Sequence, residues 1–132
     1  MSIVPTTNLV GDNMASLLLD DRQQKWDYLC DLNDIPQDSG ICVFYQNQQI
    51  ALFYISRINK VYAVSNYDPI GKANVISRGI IGSIDEQLVV ASPLFKQHFN
   101  LTTGECIENP DVCLKIYNVR VFDDLVKIND SI

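Results

Sequence analysis

From Trp26 onward, hydrophobic and polar positions alternate in short runs rich in β-branched and aromatic residues, with turn formers between them. That pattern predicts an all-β sandwich or small barrel of packed antiparallel sheets, with small helices or none. ICVFYQ (41–46) and QIALFYI (49–55) predict a hairpin turning at Asn47 and Gln48, and KVYAVSN (60–66) a third strand after the polar break from Ser56 to Asn59. In QIALFYI both alternating sets are apolar, Ile50, Leu52 and Tyr54 against Ala51, Phe53 and Ile55, so this strand is expected to be covered on both faces. EQLVVAS (86–92) reads as a strand, and PLFKQHF leads into the turn NLTTG, where Gly104 can supply a positive φ. LKIYNVRVF (114–122), the turn at Asp123 and Asp124, and LVKI predict a strand, turn and strand. Tyr67 to Asp85 reads as one long irregular section containing Pro69, Gly71, Gly79 and Gly82. A connection of that length inside a small domain is more often functional than idle. Residues 1–23 differ in composition and predict a loosely ordered arm, leaving 24–132 as the β domain. No internal repeat is evident.

Charge and cysteines narrow the function. The 132 residues suffice for one domain that buries roughly 65–70% of its unfolded surface. A formal charge of −6, from 10 Lys and Arg against 16 Asp and Glu, argues against tracking nucleic-acid phosphates. The first residues show no basic start with a long apolar run, and no segment approaches the roughly 20 apolar residues that span a bilayer. A cytoplasmic chain with no membrane partner and reduced thiols is expected. The four cysteines, Cys30, Cys42, Cys106 and Cys113, form no Cys-x-x-Cys pair, so they read as small apolar groups rather than as a metal site.

Two stretches carry a more specific signal. NYDPIGKANVISRG (66–79) and SPLFKQHFNLTTG (92–104) resemble the two cluster-binding loops of the Rieske family, which carry Cys-x-His and Cys-x-x-His. On that pattern Asn66 and Asp68 stand where the first pair belongs, and Ser92 and Phe95 where the second belongs. None of the four is a soft thiolate or imidazole donor. The chain has one histidine, His98, where a Rieske site needs two. The runs Asn-x-Asp-Pro, Ser-Arg-Gly and Ser-Pro-Leu-x-Lys-Gln, with DIPQDSGICV before them and YNVRVFDDLVKI after, look like the small subunit of the cytoplasmic NAD(P)H-dependent nitrite reductase family, from about Lys25 to Ile128. That resemblance implies a Rieske-like β domain without the [2Fe-2S] ligands, with no cofactor on this chain. It also implies a large-subunit partner that carries FAD, a cubane [4Fe-4S] cluster and siroheme and reduces nitrite to ammonia with NADH or NADPH. A ferredoxin-like carrier and a free-standing interaction module with an unrelated partner are the rival readings.

At the residue level several alternatives stand together. Asn66 and Asp68 either cap a turn before Pro69 or face a cofactor. Lys96 and His98 either lie on the outward face of a strand or serve an anion. Arg78 pairs within its own loop or reaches a partner. Leu94 and Phe95 either join Tyr67 and Pro69 in a tip that contacts the large subunit, or Phe95 fills the space a cluster would take.

Overall fold

The computed structural model describes residues 25–129, so the expected arm at 1–23 lies outside the described residues. The architecture is organised on β3 (Gln48–Ile55), which pairs on one side with β2 (Ser39–Tyr45) and on the other with β4 (Lys60–Ser65). Its two apolar sets point in opposite directions. Ile50 and Leu52 enter one core with Val61, Ala63, Val126 and Ile128, while Ala51, Phe53 and Ile55 enter a second with Val64, Val90, Phe99 and Leu101. Coverage on both faces, expected from the pattern, is present: Ile50 through Phe53 have no exposed surface.

The other sheets supply the two coverings. β1 (Asp27–Asp31), β11 (Val119–Phe122) and β12 (Leu125–Ile128) form a three-stranded sheet over the first core. β7 (Ile80–Ile84), β8 (Gln87–Ala91) and β9 (His98–Asn100) form another over the second. The short strand β10 (Ile116–Tyr117) pairs with β4, so the run expected at 114–122 is split at Asn118 and changes sheets there. All strand pairs are antiparallel, and the described residues contain 3₁₀ turns but no α-helix.

The section from Tyr67 to Asp85 is more regular than its Gly and Pro content suggests. It holds β5 (Tyr67–Asp68), β6 (Ala73–Asn74), a 3₁₀ turn at Ile76–Arg78 and β7. Its glycines partly serve close packing rather than irregularity: a Cβ on Gly79 would lie 2.4 Å from the Ala91 carbonyl oxygen.

Two-residue turns close the three hairpins β2–β3, β7–β8 and β11–β12, at Gln46–Asn47, Asp85–Glu86 and Asp123–Asp124. The first falls one residue earlier than the pattern indicated. Both central residues have positive φ in every case, between 49° and 68°. Such turns match the right-handed twist of the strands. An L-residue in that region costs about 1–2 kcal/mol, against roughly 0.5–1 kcal/mol of extra chain entropy lost by glycine. Glu86→Gly is therefore expected to stabilise the domain by about 0.5–1 kcal/mol, raising the thermal midpoint by a few degrees in a calorimetric scan.

Candidate functional site

One end of the molecule is closed by two loops. The first leaves β4 at Asn66 and the second joins β8 to β9 through residues 92–97. Asn66 anchors the base of the first loop. Its Oδ1 accepts the Ser77 N–H at 2.7 Å, its carbonyl accepts the Ile76 N–H at 3.1 Å, and its Nδ2 donates to Gln49 Oε1 at 3.0 Å. The side chain, 3.5 Å from Cys42 Sγ, is thus spent on joining both ends of the loop to the central sheet.

Asp68 and Ser92 connect the two loops directly. Asp68 has no exposed surface; Oδ1 accepts the N–H groups of Ile70 at 2.8 Å and Gly71 at 3.0 Å, and Oδ2 accepts the Ser92 hydroxyl at 2.5 Å. The bond to Ile70 is the two-residue cap open to an Asx residue before proline. Ser92 Oγ in turn accepts the Leu94 N–H at 3.3 Å. Above this junction the loops press together, since a Cβ on Gly71 would fall 2.6 Å from Leu94 Cδ1.

The loops also share one construction, which a search for long repeats overlooks. Asp68-Pro69-Ile70-Gly71-Lys72 and Ser92-Pro93-Leu94-Phe95-Lys96 each run from a buried polar residue through proline to a lysine. In each, the lysine N–H returns to the carbonyl of the first residue, Lys72 to Asp68 at 2.6 Å and Lys96 to Ser92 at 3.1 Å. Both lysines have positive φ, 59° and 58°. The pattern X-Pro-apolar-X-Lys was the available signal.

Of the four ligand-slot positions, the structure brings Asp68 and Ser92 together, sets Asn66 at the base, and turns Phe95 outward with 65% of its surface exposed. The reading in which Phe95 fills the interior is therefore corrected, because the Asp68–Ser92 bond and the contact of Leu94 with the Gly71 backbone already close the gap. Tyr67 and Leu94 are exposed at the same end, with Pro69 half-buried. Lys96 lies in a turn rather than on a strand. His98 opens β9, where its N–H donates to Glu108 Oε1 at 2.8 Å and its Nδ1 lies 2.5 Å from Glu108 Oε2. Partial burial raises the Glu108 pKa, but the bonds from the His98 backbone and ring outweigh it, leaving a value below the ordinary one. That pair therefore contributes stability above the unfolded carboxyl pKa and loses it as pH falls through the folded one. Arg78 is exposed and has no carboxylate within ion-pair distance among the described residues.

These residues do not fit a [2Fe-2S] cluster. Asn66, Asp68 and Ser92 already bond one another's loops, Phe95 has no donor atom, and His98 is held on Glu108. Burial pushes the Cys30 thiol up to about 11, with Asp34 and Asp31 adding to it, and also raises Cys42 and Cys106, so these three sit protonated in the fold. No group of three or more His, Cys, Asp or Glu side chains among the described residues is placed to hold a metal ion.

Comparison with known proteins shows the family. The Rieske-like [2Fe-2S] domain family matches residues 25–129. A nitrite reductase (NADH) small subunit from Salmonella typhimurium is 38% identical over 104 residues, 79% of this chain and 96% of that protein. The nitrite reductase NAD(P)H large subunit of Klebsiella oxytoca is 38% identical over 106 residues, which make up 80% of this chain but 11% of that protein. The NMR structure of the E. coli protein NirD, 37% identical, superposes with a TM-score of 0.73 and covers 80% of this chain and 96% of that one. Among the described residues no helix is long and apolar enough to cross a membrane.

The loop junction is testable alone. Ser92→Ala removes the one side-chain donor to a buried carboxyl group, and leaving such a group short of a partner costs about 1–3 kcal/mol. Urea denaturation is expected to show a lower midpoint with an unchanged slope. An unaltered midpoint would mean that the two loops are held by other contacts.

Proposed function

Because this chain belongs to the small-subunit family of NAD(P)H nitrite reductases, within the Rieske-like [2Fe-2S] domain family, we propose that it acts without a redox centre of its own, supporting the assembly or activity of the large subunit. It is a nitrite reductase small subunit, and its partner is the large subunit. The observation that carries the non-catalytic role is the donor set at the loop end, whose polar groups are committed to one another.

In this reading the reaction runs on the partner. Reducing nitrite to ammonia takes nitrogen from +3 to −3, a six-electron change that protein side chains cannot carry. Siroheme, a [4Fe-4S] cluster, FAD and the NADH or NADPH site belong to the large subunit, and the complex works in the cytoplasm. The Klebsiella oxytoca large subunit supports the pairing, because part of that chain is itself similar to this domain. A domain that occurs within the large chain in one protein and as a separate chain in another is suited to sitting against it.

The contact we assign to the partner is the tip of the two loops, Tyr67, Pro69, Leu94 and Phe95. Phe95 and Leu94 are large apolar side chains held out by turns whose bases are rigidly bonded. Exposed aromatic and aliphatic side chains on a fixed scaffold are typical anchors of an interface. Adding one equivalent of this chain to the purified large subunit is expected to raise the rate or lifetime of nitrite-dependent NAD(P)H oxidation, with saturation. Leu94→Ala/Phe95→Ala is expected to raise the concentration needed for half-saturation by about tenfold or more. No effect of the wild-type chain, with no complex in gel filtration, would sink the subunit role.

A further inference from the structure

The repeated turn does more than hold the tip. Its last residue is lysine in both loops, at φ 59° and 58°, where glycine would sit with less strain. Lys72 and Lys96 are both exposed, and neither has a carboxylate within ion-pair distance, since the one ion pair among the described residues joins His98 to Glu108. The loops at 66–79 and 92–97 carry three cations, Lys72, Arg78 and Lys96, and one acidic residue, Asp68, which is fully buried. The chain as a whole has a net charge of −6. Three of the ten cations but one of the sixteen acidic residues lie on these loops, which are therefore net positive on a net negative chain and also expose Tyr67, Leu94 and Phe95.

We propose that Lys72 and Lys96 are the electrostatic half of the docking tip and engage carboxylates that ring an apolar socket on the large subunit. The proposal rests on the tip docking there, and it adds the chemistry of the surface that receives it. Charge complementarity favours an acidic protein surface over the other anions. A small anion such as nitrite finds no donor left at the junction, because the N–H groups of Ile70 and Gly71 and the Ser92 hydroxyl are all bonded to Asp68. A nucleic acid would meet three cations on a chain that elsewhere repels it. Cations at the rim of an apolar contact speed encounter and fix orientation, and their effect fades with salt.

The test is a binding titration of the full chain against purified large subunit at low and high salt. The wild type is compared with Lys72→Gln/Lys96→Gln, with Phe95→Ala, and with Lys60→Gln/Lys127→Gln as an equal charge change elsewhere. Circular dichroism checks that each variant is folded. The tip lysine pair is expected to weaken binding about tenfold at low salt and to flatten the salt dependence, with the distant pair near wild type. Equal weakening by both pairs would overturn the proposal, because net charge alone would then explain it. Weakening by Phe95→Ala with no change for the tip lysines would also overturn it, while leaving the docking reading intact. Loss of binding with the lysine pair but not with Phe95→Ala would uphold the lysines and remove the apolar anchor. If neither variant weakens binding, both readings fall.

Discussion

A carboxyl group with no exposed surface must find its hydrogen bonds inside the protein, and here that demand organises the functional end of the molecule. Asp68 meets it with two N–H groups of its own loop and one hydroxyl from the other. Tertiary register follows, because Ser92 can reach Asp68 only when β8 ends where it does and the first loop folds back on β3. Asn66 fastens the other side of that loop to Gln49 and Ser77. Polar side chains thus cross-link the two loops and hold them to the central sheet.

On the proposed role, in which the cofactors lie on the large subunit, a fixed loop end has a plain use. A rigid junction costs no ordering at the moment of contact, so under that proposal the apolar and charged side chains above it would meet the partner already positioned. Separation of the roles is visible residue by residue: Asn66, Asp68 and Ser92 face inward, while Tyr67, Leu94, Phe95 and the two lysines face solvent.

Much of the fold was legible because burial on two faces leaves a mark in the chain. QIALFYI, the β-rich runs around it and the final strand, turn and strand all appear near their expected places. The hairpin at Asp85–Glu86 was not legible, since Gly79 and Gly82 made the strand before it read as part of a connection and Glu86 read as the start of the next strand. Gly79 misled for a related reason: it marks a close approach to Ala91 rather than a loop. At the site, the absence of cluster ligands could be counted from residue types. What replaced them could not, because the Asp68–Ser92 bond joins residues 24 apart and depends on where two loops land.

β3 has a consequence of a different kind. Its neighbours in sequence belong alternately to two cores, Ile50 and Leu52 to one and Ala51 and Phe53 to the other, so neither core can loosen without disturbing the same backbone. Partial opening of one sheet would leave the strand pinned by the opposite one. The amides of Ala51, Leu52 and Phe53 should then exchange with deuterium only when the whole domain unfolds, which makes them an internal gauge of global stability from which loosening at the loop end can be read separately.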